Sequence, residues 1–365
     1  MNSSETRRKG HCDRWFVRHP LLAYCCLIFS VIVLIMSGLE LAYRTHRYYR
    51  DGLLVLTRLG YHPLTTLDPE LGWTLRRNEK ITKTLKDFVG NRYTLDYSTD
   101  DLGFRLRTGK NGILFVGDSF TQECETSDKN TYYYEVQRQL PDIPVSAIGV
   151  IGYGTLQEIL LLDRVFSEVT PRIVVFQMCS NDLSDNCYQL LQRYNSGGGS
   201  VPRPYWENGK CVWHDRGQDE WLMYICRTTG LTVIGRFACN FYSLWYPING
   251  YYFEFTDGET KQLLNKSVEV TRELLERERK KRPGVKFFAF NLGFDEKTDD
   301  LLEKAALSAG LVWLGQLATE VYRIHGDRSL SATSHFNNLG NRMLGELIIN
   351  NLEGHLEQRD YKVDR

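Results

Sequence analysis

The chain has 365 residues, of which 42% are hydrophobic and 25% are charged, a composition that is ordinary for a globular protein. Lys plus Arg and Asp plus Glu each number 45, so the formal net charge is zero. This balance gives no electrostatic support for a polyanionic partner, and we expect no nucleic-acid binding. The length allows one large domain or two small ones.

The first predicted element is a transmembrane helix. Residues 21–39 read LLAYCCLIFSVIVLIMSGL and carry no charge, close to the roughly 20 residues that a helix needs to cross a bilayer. The run is longer than the core of about 7–15 residues in a cleavable signal peptide. We therefore predict a cytoplasmic tail over 1–20 and a single-pass membrane anchor over 21–43. Five Lys or Arg before the run and three after it favour an extracytoplasmic main domain, periplasmic or at the cell surface.

Residues 44–110 are expected to form a juxtamembrane segment with short strands and turns. From residue 111 the pattern changes to alternating strands and helices. Buried strands are predicted in ILFVG, VSAIGV, RIVVFQM, VKFFAFN and LVWLG. Helices are predicted at 129–140, in TLQEILLLDRVFSEV, at about 261–281, near 297–309 and at about 338–352. Strands separated by helices of this length predict a parallel sheet covered on both faces.

An insertion at about 183–258 separates the third and fourth of these strands. It contains the glycine-rich run NSGGGS and many aromatic residues. One interpretation is a cap that lines a substrate cleft and stacks on sugar rings. The other is a small subdomain that packs its aromatic residues against one another.

Six cysteines lie beyond the anchor: Cys124, Cys179, Cys187, Cys211, Cys226 and Cys239. An even number in an exported domain permits disulfides, and the sequence leaves the pairing open. The histidines are scattered and no C-x-x-C pair occurs, so a zinc site is not expected. We expect neither a metal nor a cofactor.

Polar residues follow three of the predicted strands where those strands end. Asp118 and Ser119 follow the first, the run GVIGYGT with Gly152 follows the second, and Asn181 with Asp182 follows the third. Ligands of parallel α/β sheets bind beyond the carboxyl ends of the strands. Each block alone is typical of a turn, but the position of all three at one edge of the predicted sheet predicts a functional site. His335 stands near the last predicted helix, in SATSHFNNLGN.

In this order the blocks resemble the SGNH/GDSL family of serine hydrolases over about 113–352. The resemblance implies that Ser119 attacks an ester carbonyl and that His335 acts first as base and then as acid. It also implies that an oxyanion is stabilised by the Ser119 and Gly152 N–H groups and by the Asn181 amide. Asp118 and Asp182 are expected to shape turns and support the site. The expected fold is three-layer α/β/α with a parallel, flavodoxin-like sheet over 111–355, plus the N-terminal transmembrane helix.

The sequence departs from the family pattern beside the histidine. The family's aspartate two or three residues before the histidine is replaced here by Thr333 or Ala332. A Ser-His dyad, with a backbone carbonyl or a hydroxyl holding His335, is one interpretation and the one we expect. A remote acid is another, and Asp327 is nearest in sequence. The third is a degenerate site in a binding module.

The expected function is hydrolysis or transfer of an acyl group, with acetyl preferred, on a carbohydrate or an envelope polymer. The expected partners are an acylated carbohydrate or a small ester as substrate, and the membrane through residues 21–43. A lipase or thioesterase acting on small acyl substrates is one alternative. A catalytically silent carbohydrate-binding or envelope-assembly module that keeps the fold is the other.

Overall fold

The structure is a computed structural model that describes residues 18–51, 64–193, 203–214, 258–293, 296–331 and 335–356. Most of the predicted cytoplasmic tail and most of the predicted insertion lie outside these ranges, as do Cys226 and Cys239. The described strands are β1 (Thr65–Asp68), β2 (Gly72–Leu75), β3 (Lys80–Lys86), β4 (Arg92–Ser98), β5 (Leu106–Arg107), β6 (Ile113–Gly117), β7 (Val145–Gly149), β8 (Ile173–Met178), β9 (Pro204–Glu207), β10 (Lys210–Trp213), β11 (Lys286–Asn291) and β12 (Val312–Gln316). The described helices are α1 (Pro20–Asp51), α2 (Ser119–Gln122), α3 (Tyr132–Gln139), α4 (Thr155–Val169), α5 (Asn181–Asp185), α6 (Tyr188–Arg193), α7 (Gly258–Lys281), α8 (Glu296–Ser308), α9 (Leu317–His325) and α10 (Asn338–Leu352).

Helix α1 contains the apolar run at the amino terminus. Its segment Pro20–Ala42 is long and apolar enough to cross a membrane, and this segment is not buried inside the protein. Large apolar side chains along it are exposed, including those of Leu21, Phe29 and Leu34. Burying such side chains in an apolar phase is favourable by about 1.5–3 kcal/mol each, so the helix is a candidate membrane span. The helix continues to Asp51, beyond the predicted end at residue 43.

The central sheet has the predicted flavodoxin-like order. Its strands run β12-β11-β8-β6-β7-β5, and β7, β6, β8, β11 and β12 are parallel to one another. The short strand β5 adds an antiparallel edge next to β7, which the sequence pattern did not predict. The register pairs Gly117 with Gly149 and Asn291 with Met178, so the carboxyl ends of neighbouring strands are aligned.

The sheet is covered on both faces, which makes three layers. Successive side chains of a strand point to opposite faces, and the core of β6 divides accordingly. Leu114 and Val116 belong to the apolar core that includes residues of α4, α7 and α8. Ile113 and Phe115 belong to the second core, which includes residues of α3, α9 and α10.

The segment between α1 and the sheet folds as two antiparallel hairpins, β1–β2 and β3–β4. Leu71, Trp73 and Leu75 of the first hairpin are buried in the core of the main domain. The first hairpin of the predicted juxtamembrane segment therefore packs into the core of the α/β domain. Its packing partners are distant in sequence, and short alternating runs do not reveal such partners.

Several elements differ from the sequence-based expectation. Helix α3 begins at Tyr132 rather than at 129, because Asp128–Asn130 form a short 3-10 turn and the Thr131 hydroxyl caps the helix. Helix α9 was not predicted. Within the predicted insertion the described residues form α6 and the hairpin β9–β10. Four of the six cysteines of the main domain are free thiols: Cys124, Cys179, Cys187 and Cys211.

Candidate active site

Ser119 lies where β6 turns sharply into α2. Asp118 caps the helix, since its Oδ1 accepts a hydrogen bond from the Phe120 N–H at 3.0 Å. A Cβ at Gly117 would lie 2.4 Å from both Gln177 Oε1 and Thr121 Oγ1, so only glycine fits this turn. The turn leaves Ser119 partly exposed at the carboxyl edge of the sheet.

His335 lies beside Ser119 although 216 residues separate them in sequence. Ser119 Oγ and His335 Nε2 are 3.0 Å apart, which is hydrogen-bonding distance for a nucleophile and its base. The imidazole also contacts the Phe120 ring, with 4.7 Å between ring centroids. Burial lowers the pKa of His335, and the negative charge of Glu125 acts in the opposite direction. A lowered pKa favours the neutral imidazole, which is the form that can accept the serine proton.

Asp327 is the carboxylate nearest to His335 in sequence. Asp327 lies at an exposed position, where its Oδ1 accepts a hydrogen bond from the Tyr322 hydroxyl at 2.9 Å. Among the carboxylates that the structure describes, Glu125 is the one whose charge acts on the imidazole. Glu125 belongs to no recognisable motif. The only sequence feature that could have pointed to it is its position six residues after Ser119.

The glycine turn after β7 is held in place by side chains from two other parts of the chain. The Ile151 N–H donates to Gln122 Oε1 at 2.7 Å, and the Ile151 carbonyl accepts from Trp73 Nε1 at 2.9 Å. The Tyr153 hydroxyl donates to the Trp73 carbonyl. Gly152 itself has φ of 74°, in the region that favours glycine. The turn that carries the proposed oxyanion donor is therefore fixed between α2 and the β1–β2 hairpin.

Asn181 begins the short helix α5 after β8, so it shares the carboxyl edge with Ser119 and Gly152. Its Nδ2 donates to Asp185 Oδ2 at 2.9 Å. Asp185 in turn pairs with the guanidinium of Arg203, with 2.7 Å between Oδ1 and Nη1. Neither Asp185 nor Arg203 was identified from the sequence, since no motif connects the two positions.

Asp118 and Asp182 are buried in the turns that they shape. Asp182 Oδ2 accepts a hydrogen bond from the Cys179 N–H at 2.7 Å. Burial raises the pKa of Asp118 to about 6 and raises the pKa of Asp182 well above its ordinary value. Glu158 is also buried beside them, and burial raises its pKa well above the usual range too. Within the described ranges, no three His, Cys, Asp or Glu side chains form a group that could hold a metal ion.

Solved structures similar to this chain include lipases and esterases. TesA has a TM-score of 0.40 and 11% identity over 67% of this chain and 100% of its own. The lipase/acylhydrolase from Enterococcus faecalis has a TM-score of 0.37 and 16% identity, over 68% of this chain and 98% of its own. The acetylxylan esterase Axe2 from Geobacillus stearothermophilus has a TM-score of 0.35 and 12% identity, over 70% of this chain and 99% of its own. No protein-family model matches the chain, and no curated protein sequence matches it.

Proposed function

We propose that this protein is a serine ester hydrolase of the SGNH type that works through an acyl-Ser119 intermediate. The observation that supports this most directly is the 3.0 Å separation of Ser119 Oγ and His335 Nε2 at the carboxyl edge of a parallel sheet. Two sequence-distant residues of these types meet at the edge where such sheets bind ligands. If Ser119 only formed a turn and His335 only supported the structure, the two side chains would not have to lie within hydrogen-bonding distance at this edge.

In the proposed reaction, Ser119 Oγ attacks the carbonyl carbon of the ester while its proton moves to His335 Nε2. The tetrahedral oxyanion accepts hydrogen bonds from the Ser119 N–H, the Gly152 N–H and the Asn181 amide. Collapse of this intermediate breaks the bond to the leaving alcohol, which takes the proton from His335. Water, deprotonated by the same imidazole, then hydrolyses the acyl-Ser119 ester. If a sugar hydroxyl replaces water, the same intermediate gives acyl transfer.

The substrate class that we propose is an acylated carbohydrate, with acetyl as the acyl group, in a polymer of the cell envelope. The apolar segment Pro20–Ala42 supports this choice, because an anchor would hold the domain at a membrane surface.

We further propose that the domain lies on the extracytoplasmic side, as the flanking charges favour. Protease added outside intact cells should then digest residues 64–365. A domain that stays intact while an exported control protein is digested would exclude this orientation.

The catalytic proposal is tested with a fluorophosphonate probe on the full chain. Ser119 Oγ forms a bond to phosphorus, the P–F bond breaks, fluoride leaves, and the serine proton moves to His335. We expect a covalent adduct on the wild type and none on Ser119→Ala. Ser167→Ala is the matched control, because Ser167 is exposed on α4, and it should label like the wild type.

Turnover of p-nitrophenyl acetate gives the second readout. Ser119→Ala should lower kcat by at least about 10³-fold, since removal of a nucleophile typically abolishes nearly all acceleration. A wild type that gives no adduct and no turnover, yet binds acylated glycan saturably, would overturn the proposal. That result would favour the binding module that the missing aspartate before His335 suggests.

A further inference from the structure

Glu125 lies three residues beyond α2, and its negative charge acts on the imidazole of His335. Because His335 Nε2 faces Ser119 Oγ, the ring has one further nitrogen, Nδ1, for a second partner. Of the carboxylates in the described part of the chain, Glu125 is the one whose charge reaches this ring. Its carboxylate therefore lies where an acid could act on the base.

Ser331 joins Glu125 to the backbone of His335. The Ser331 hydroxyl donates a hydrogen bond to Glu125 Oε2. The Ser331 N–H donates to the His335 carbonyl at 2.7 Å. One residue thus contacts the acid through its side chain and the histidine through its main chain, so the two groups are held in a common arrangement.

The loop that carries Glu125 is fixed by a tyrosine of β4 and by an arginine that directly precedes β5. The Tyr93 hydroxyl of β4 donates to the Glu125 carbonyl at 2.7 Å. Arg105, whose side chain is wholly buried, donates to the Glu123 carbonyl at 2.8 Å and to the Thr126 carbonyl at 3.1 Å. The backbone on both sides of Glu125 is therefore clamped, which fits a residue whose side chain must keep one position.

The same loop is fixed from the side of His335. The Thr126 hydroxyl donates to the Phe336 carbonyl at 3.0 Å, and Asn341 Nδ2 donates to the Thr126 hydroxyl at 3.0 Å. Phe336 follows His335 directly, so the acid loop and the histidine loop are connected through backbone as well as side-chain groups. All of these atoms lie in a buried environment.

We propose that Glu125 is the positioning residue of His335 and replaces the aspartate that the sequence lacks before the histidine. The proposal rests on the proposed esterase function. Glu125 would hold the imidazole with its proton on Nδ1, which leaves Nε2 free to take the serine proton. Its negative charge would also stabilise the imidazolium that forms when the proton moves. Tyr93 and Arg105, which lie outside the family resemblance, then support the catalytic site because they fix the Glu125 loop.

The test compares Glu125→Gln, Glu125→Asp and Asp327→Asn, with the exposed Glu168→Gln as the inert control. We expect Glu125→Gln to lower kcat on p-nitrophenyl acetate by about 10²–10⁴-fold with KM little changed, as loss of a triad acid does. Glu125→Asp keeps the charge and should recover part of the rate. The acid limb of the kcat/KM profile should move to lower pH in Glu125→Gln, because removing the negative charge lowers the pKa of His335 further.

The rate at which the fluorophosphonate probe labels Ser119 distinguishes the esterase proposal from the Glu125 proposal. If the wild type does not react, the esterase function itself fails. If the wild type reacts and folded Glu125→Gln reacts equally fast, the role of Glu125 is wrong and the function stands. Should Glu125→Gln not fold, a wild-type rate in Glu125→Asp leads to the same conclusion, because a shorter side chain withdraws the carboxylate from the ring. A slow Asp327→Asn beside a fast Glu125→Gln would assign the role to Asp327.

Discussion

Asp185 and Arg203 form an ion pair in which both side chains are almost wholly buried, 4% and 1% exposed respectively. The other carboxylate oxygen of Asp185 binds Asn181 Nδ2 at 2.9 Å. The guanidinium of Arg203 also lies over the Trp73 ring, 5.0 Å from its centroid. Arg203, directly before β9, therefore pairs with the carboxylate that binds the amide proposed to stabilise the oxyanion. Trp73 of the β1–β2 hairpin packs against the guanidinium of Arg203.

Arg203→Met should destabilise the protein strongly. Removing one partner of a buried ion pair leaves an uncompensated charge, which typically costs about 3–5 kcal/mol of unfolding free energy. Adding Asp185→Asn to Arg203→Met should recover part of that loss, because the buried charge is then gone. Urea unfolding of the two single variants and the double variant measures this. Strictly additive effects would show that the two side chains do not interact.

Asn181→Ala should lower kcat by about 10²–10³-fold and change KM little, the usual effect of losing one oxyanion donor. Steady-state kinetics with p-nitrophenyl acetate measures both constants. Asn351→Ala is the matched control, because Asn351 is exposed on α10 and binds only the Leu347 carbonyl among the interactions described for it. A rise in KM with unchanged kcat would instead assign Asn181 to substrate binding.

The pH profile of the wild type should show an acid limb with its midpoint below 6.5. Burial lowers the pKa of His335 from its ordinary value of 6.5, so the imidazole remains neutral and able to act as a base in mildly acidic solution. Activity should fall only when the pH drops far enough to protonate His335. Measurement of kcat/KM from about pH 4.5 to 8, a range that spans the ordinary histidine pKa, locates the limb. A midpoint above 6.5 would contradict the observed environment of the ring.

Glu123 makes stability depend on pH. Its carboxylate is buried, and burial raises its pKa from 4.5 to about 8, although the positive charge of Arg105 opposes this. Between these pH values the folded protein holds a proton that the unfolded chain has lost, so the free energy of unfolding falls as pH rises. Asp118 acts in the same direction, up to about pH 6.

Glu123→Gln should therefore gain stability relative to the wild type as the pH rises from about 5 to about 8. One pKa unit corresponds to about 1.4 kcal/mol, so the gain at the upper pH is at most a few kcal/mol. Urea unfolding at the two pH values measures the difference. A variant whose stability relative to the wild type is the same at both pH values would show that Glu123 ionises normally.

Gly149→Ala should disturb the turn beside Ser119. A Cβ at Gly149 would lie 2.5 Å from Thr121 Cβ and 2.8 Å from the Asp118 carbonyl oxygen. Overpacking of this kind typically costs about 1–3 kcal/mol, and here it would also push α2 away from the sheet. Thermal unfolding and kcat should both fall. Gly354→Ala, where a Cβ would meet no atom within 4 Å, should leave both unchanged.

The positions of the central strands along the chain were predictable because the pattern that marks each strand is local, whereas their order in the sheet was expected from the family resemblance. Runs such as ILFVG are apolar throughout, as strands covered on both faces must be, and the helices between them carry their own periodic pattern. The approximate helix positions followed for the same reason. Helix α9 was missed although its pattern is amphipathic, and the edge strand β5 was missed because two residues carry too little pattern.

The sequence by itself determined the strand–helix alternation, the apolar amino-terminal helix and the candidate pair Ser119 and His335. The alternation and the helix depend on composition and periodicity, and the pair depends on the short motifs that carry the family resemblance. All of these features are local in the chain. Only the tertiary structure decided that the charge of Glu125 acts on the imidazole, that Asp327 lies exposed beside Tyr322, and that Arg203 pairs with Asp185, which binds Asn181. Burial and ion pairing of this kind join residues through space, and distance along the chain does not report such contacts.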